Sequence, residues 1–127
     1  MSDPAVFGRL LVEPSYSRTP TWQGSDLDLA EHRFPCASCK ADVSVGIRSL
    51  VAAAWNWERE LGTELSEAAA AFFDLGVVRK SKDGGWPAMV RVSCRACKAA
   101  YLVYSGVTET SNSVYAVTVQ AVVELSA

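Results

Sequence analysis

No run of apolar residues in this 127-residue chain approaches the ~18 needed to cross a bilayer. Its opening, Met1-Ser2-Asp3-Pro4, lacks the basic segment and apolar stretch of a secretory leader. These two absences predict a soluble cytoplasmic protein with no membrane partner. Histidine is nearly absent, with His32 alone. The chain also has no Walker loop, Rossmann fingerprint, H-E-x-x-H pair or nucleophile elbow, so it has none of the usual sequence marks of phosphoryl transfer, dinucleotide binding, metalloproteolysis or serine hydrolysis. The expectation is a protein that is not an enzyme. Half the residues are apolar and a fifth are charged, which argues against disorder, collagen and coiled coil. The length suits one domain, 1–127, able to remove roughly two-thirds of its unfolded surface from water.

What is present is a set of four cysteines in two pairs of identical spacing, Cys36-Ala37-Ser38-Cys39 and Cys94-Arg95-Ala96-Cys97. A C-x-x-C turn brings two thiolates to one point with backbone N–H groups aimed at the sulfurs. Two such knuckles make the closed sulfur shell that zinc accepts. Two disulfides, another thiophilic metal or a redox pair are the other chemistries open to four cysteines, but a reducing compartment disfavours disulfides. A thioredoxin-like redox motif would lead into a helix, whereas Val43, Val45 and Ile47 after the first pair, and Tyr101 to Tyr104 after the second, read as strands. Cys36, Cys39, Cys94 and Cys97 are thus the expected ligands of one structural zinc, with no open position for substrate. His32 is a polar strand-edge residue in this reading, since four sulfurs already complete the shell. Lys40, Arg95 and Lys98 stand where they would offset the local charge of four thiolates around one dication.

The paired knuckles and their flanking strands resemble the zinc-ribbon class, in which each knuckle caps a β-hairpin. The resemblance implies a four-sulfur zinc site; function in that class ranges over nucleic-acid binding, protein docking and purely structural roles. A compact ribbon places ~15–20 residues between its pairs. Here 54 positions intervene, and Lys40 and Lys98, rather than glycines, follow the second cysteines.

The intervening segment reads as helical from about 47 to 76. Ile47, Leu50, Val51, Ala54 and Leu61 form an apolar stripe on a first helix, flanked by Trp55 and Trp57 and stopped by Gly62. Glu58 falls inside the stripe, where its place near the last turn lets it reach solvent. A second helix follows from Glu64 or Leu65 to Leu75, with Thr63 as N-cap and Gly76 as terminator. Leu65, Ala69, Phe72, Phe73 and Leu75 are expected inward, Ser66, Glu67, Ala70 and Asp74 outward. Strands are expected over 5–12 and 27–29, in a hairpin turning at Asp83-Gly84-Gly85, and in a hairpin of 101–107 with 114–125 across Thr108–Ser113. Pro87 marks an edge strand. Alternation places Tyr115, Val117, Val119, Ala121, Val123 and Leu125 on one face. Residues 13–25 read as a loop containing Trp22. The fold class is therefore α+β: a zinc-stapled antiparallel sheet with an αα-hairpin inserted between the two knuckles.

Charge is unevenly divided. Residues 1–78 carry 6 basic and 11 acidic side chains, and residues 79–98 carry 6 basic and 1 acidic. Trp22 and Trp86, outside any helical or alternating stripe, are candidate protein-binding anchors, and Arg79, Lys80 and Lys82 are candidate partner contacts. The working expectation is a protein-interaction module, of the inhibitor or immunity type that neutralises a basic effector. The alternative is a nucleic-acid-associated zinc-ribbon protein using the basic stretch 79–98 with Trp86 stacking. Duplex recognition by the second helix is disfavoured, because its expected outward residues are acidic or small.

Overall fold

The computed structural model describes residues 7–12, 21–24, 30–75, 85–111 and 114–125. Seven strands and three helices occur there: β1 (Phe7–Val12), β2 (Thr21–Gly24), β3 (Glu31–Pro35), β4 (Asp42–Gly46), α1 (Ile47–Ala53), α2 (Trp57–Leu61), α3 (Thr63–Phe72), β5 (Trp86–Ser93), β6 (Ala100–Ser111) and β7 (Val114–Leu125). The chain is a mixed α and β protein built mainly on antiparallel sheet. The larger sheet runs β1-β7-β6-β5, with β2 also paired to β7, and the smaller is the β3–β4 hairpin. No described helix is long and apolar enough to cross a membrane.

Long β6 and β7 form the core of the larger sheet. The polar turn expected over Thr108–Ser113 is shorter, because β6 continues to Ser111 before β7 starts at Val114. Along this pair Tyr104 faces Ala121 and Ser105 faces Val119, so Gln120 is one residue too many on β7. Such a bulge reverses side-chain parity beyond it. Tyr115, Val117 and Val119 consequently share the face of Tyr101, while Ala121, Val123 and Leu125 share that of Tyr104. This corrects the single face expected for all six. Both faces are covered: Tyr101, Val103 and Val107 on one, and Leu102 and Tyr104 on the other, are buried. Phe34 of β3 meets Tyr101 edge-on at 5.1 Å, and Phe73 stacks on Tyr104 at 4.5 Å, so β3–β4 approaches one face and the end of α3 the other.

Three short helices stand where two were expected. Ile47, Leu50 and Val51 are buried as the stripe requires, but the first helix breaks at residues 54–56. There the backbone closes i→i−3 bonds, and Asn56 leaves the helical region at φ −144°. In an unbroken helix Trp55 and Trp57 would point about 200° apart; after the break Trp57 is buried while Trp55 is 64 % exposed. Gly62, at φ +87°, ends α2 as expected and also takes the N-cap position of α3 in place of Thr63. The far end of α3 departs further. Asp74 adopts φ +56°, with Leu75 N–H donating to Ala70 O and Asp74 N–H to Ala71 O, a Schellman closure two residues before the Gly76 expected to end the helix. The inward stripe is Ser66, Ala69, Ala70 and Phe73, which overturns the outward placement of Ser66 and Ala70. Their small side chains permit close approach, and the Ser66 hydroxyl is satisfied by Thr63 O at 3.2 Å. Phe72 is 46 % exposed, its ring 4.5 Å from that of Phe7.

Residues 13–25 are not all loop, since Thr21–Gly24 pair with β7. The strand expected at 27–29 and the first arm of the hairpin turning at 83–85 lie outside the described residues. Among the described strands Pro87 sits on an edge, β5. Just before it, a Cβ on Gly85 would lie 2.8 Å from Val107 O and 2.7 Å from Thr108 Oγ1. We expect Gly85→Ala to cost about 1–3 kcal/mol in urea unfolding, and Gly46→Ala, whose added methyl group would meet only Ser49 Oγ at 3.7 Å, to change little; equal midpoints for the two would contradict the close packing at Gly85.

Candidate metal centre

Each knuckle is the turn of an antiparallel connection: Cys36 to Cys39 joins β3 to β4, and Cys94 to Cys97 joins β5 to β6. Their backbones repeat one another. Cys36 N–H donates to Ala41 O at 2.8 Å and Lys40 N–H to Cys36 O at 3.0 Å; Cys94 N–H donates to Ala99 O at 2.8 Å and Lys98 N–H to Cys94 O at 2.9 Å. The residue after each second cysteine must turn left-handed, and Lys40 and Lys98 do so at φ 70° and 71°. That conformation costs a non-glycine residue of order 1 kcal/mol or more. The knuckle thus forms without its usual glycine, and in both copies the strained position carries a lysine.

The four sulfurs converge. All lie within 4.8 Å of one another, with Cys36–Cys97 and Cys39–Cys94 at 3.5 Å. A disulfide would bring two sulfurs to ~2.05 Å, and all four cysteines are free. A tetrahedron of ~2.3 Å zinc–sulfur bonds has edges of about 3.8 Å, so the cluster is able to hold one metal ion and is compatible with zinc. Cys36 and Cys94 are buried, Cys39 and Cys97 exposed. Each knuckle therefore contributes an inner and an outer sulfur.

Sequence reasoning missed Tyr101. Fully buried on β6, it places its hydroxyl 3.2 Å from Cys36 Sγ and accepts Ala37 N–H at 2.9 Å. Burial first, and then the neighbouring sulfur, push its pKa up to about 12, so the hydroxyl keeps its proton and donates it to Cys36. This hydrogen bond, with the N–H groups of Cys39 and Ser38, brings the Cys36 thiol down to about 6. The only sequence signal was a polar-tipped aromatic on the strand leaving the second knuckle. Across the β6–β7 ladder Tyr101 faces Glu124, which Arg9 of β1 grips through Nε at 3.1 Å and Nη2 at 2.9 Å.

His32 is buried beside Phe34 rather than presented at a strand edge, because β3 turns its even-numbered residues inward, and burial lowers its pKa. It is not part of the four-sulfur cluster. Lys40, Arg95 and Lys98 are exposed around the knuckles, and Glu58 reaches the surface as expected. Trp86 is 54 % exposed at the start of β5. Trp22 belongs to β2 rather than a loop, and the ladder sets it in one lateral row with Val117, Val107 and Trp86. Val107 and Val117 are buried, so the middle of that row is covered. Arg79, Lys80 and Lys82 lie outside the described residues. Comparison with protein families, curated proteins and solved structures gives no match.

Two outcomes follow from this geometry. Cys97→Ser is expected to lose stoichiometric metal by elemental analysis and to melt at a much lower temperature, because a shell of three sulfurs leaves a bound ion one ligand short. The Arg9 guanidinium and backbone N–H hold the Glu124 carboxyl below its usual range. That contribution to stability is present above the unfolded carboxylate pKa and disappears as pH falls through the folded one. The stability gap between the parent and Glu124→Gln should therefore be present at pH 7, shrink on acidification and narrow in high salt; a gap independent of pH would contradict it.

Proposed function

We propose that this chain is a zinc-ribbon-like domain in which one structural zinc joins the β3–β4 hairpin to the larger sheet, and that it serves as a binding module for a basic protein. In this reading the helical segment is an insertion between the two knuckles, and zinc has a closed shell with no position for substrate, so the protein is not an enzyme. The observation that carries the partner's chemistry is the surface of α2 and α3. Glu58, Glu60, Glu64, Glu67 and Asp74 are all exposed there against one exposed arginine, Arg59, directly after the exposed ring of Trp55. An aromatic anchor beside a field of one sign suits a partner of the opposite sign: the ring supplies buried area and the carboxylates speed encounter. An inhibitor or immunity role toward a basic effector is the functional form of this reading.

A second reading is favoured by β5 and the second knuckle, where Trp86, Arg91, Arg95 and Lys98 are exposed along one stretch of chain. There the partner would be single-stranded nucleic acid, held by charge and stacking. Charge reversal separates the two. Glu64→Lys with Glu67→Lys, or Trp55→Ala, should abolish a salt-sensitive protein complex in native mass spectrometry without moving the melting temperature, and Arg91→Glu with Arg95→Glu should leave it intact. If only the second pair matters, and the lost partner is nucleic acid, the order of the two readings is reversed.

A further inference from the structure

The geometry points to Cys39 and Cys97 as a modification site for hydroperoxides, whose oxidation is resolved across the two knuckles into Cys39–Cys94 and Cys36–Cys97 disulfides as the metal leaves. The metal's part in this rests on the zinc reading; the pairing of the thiols does not. Three observations carry it. The second cysteine of each knuckle is exposed and the first is buried, so a small oxidant in water meets Cys39 and Cys97 first. Each outer sulfur touches an inner sulfur of the opposite knuckle at 3.5 Å, Cys39 with Cys94 and Cys97 with Cys36. The knuckles are also held face to face by contacts independent of the metal: Phe34 against Tyr101 at 5.1 Å, and the Tyr101 hydroxyl between Cys36 Sγ and Ala37 N–H.

The chemistry balances with the peroxide as sole oxidant. An outer thiolate attacks the distal peroxide oxygen, the O–O bond breaks, and a sulfenic acid and hydroxide (or alkoxide) form. The facing inner thiol then displaces water from the sulfenic sulfur and forms the S–S bond, its proton leaving with that water. One disulfide removes two ligands, and the weakened shell releases its metal. Bonds across the knuckles, spanning 55 and 61 residues, keep β3–β4 fastened to the larger sheet after the metal has gone; bonds within each knuckle would let it go.

The test treats the metal-loaded full chain with hydrogen peroxide, follows zinc with a colorimetric chelator, and maps disulfides in non-reducing digests by fragment-ion sequencing. The expected result is one zinc released per chain, with Cys39–Cys94 and Cys36–Cys97 as the disulfides formed. Cys36–Cys39 and Cys94–Cys97 bonds, oxidation stopping at sulfinic acid, or four intact thiols with metal retained would each overturn the proposal. Metal content before oxidation reports separately on the zinc reading: a chain isolated without zinc that still cross-links across the knuckles removes that reading and leaves the pairing standing.

Discussion

A hairpin of two five-residue strands does not hold its shape alone in water. β3–β4 is such a hairpin, and among the described strands its only ladder is its own. At its turn four sulfurs converge, two of its own and two from the turn between β5 and β6, in an arrangement able to hold a metal ion between the hairpin and the larger sheet. Around that point the apolar contacts follow: Phe34, Val43 and Val45 point inward from the hairpin, and Phe34 lies against Tyr101. The chain between the sulfur pairs must therefore leave β4, form α1 to α3 and return as β5 within a closed loop. The short helices and the one-residue join at Gly62 are compatible with that closure.

The knuckles were legible in the sequence because their chemistry is local. Two residues between cysteines determine the turn, and the turn determines where the sulfurs point. The left-handed residue after each second cysteine is equally local, yet it was hidden, since Lys40 and Lys98 occupy a place normally signalled by glycine. Gly62 and Pro87 were read correctly for similar reasons, each being constrained by its own backbone.

Other features depend on partners distant in sequence. Gln120 carries no mark of a bulge, and unbroken alternation through Tyr115 to Leu125 suggested a single face; only the register against β6 shows the reversal. The continuous helical period over 47–61 concealed a break that lets Trp57 enter the core and leaves Trp55 outside. Along α3 and its end Ala69, Phe73 and Leu75 point inward as read, but packing leaves Phe72 outside and takes in the small residues Ser66 and Ala70 instead. Tyr101 belongs to the same group: its role at the sulfurs depends on a first knuckle more than sixty residues away.

β7 also governs when the fold can form. It is the last described strand, and it pairs with β6, β1 and β2, so two of the four other described strands of the larger sheet, β1 and β2, have no ladder partner until it arrives. During synthesis β1 and β2 emerge first and wait for almost the whole chain. The early ladder of β6 with β5 depends on neither, and it forms beside the second knuckle. A ribosome-bound chain would thus assemble from its later half backwards, with the first-made strands docking last.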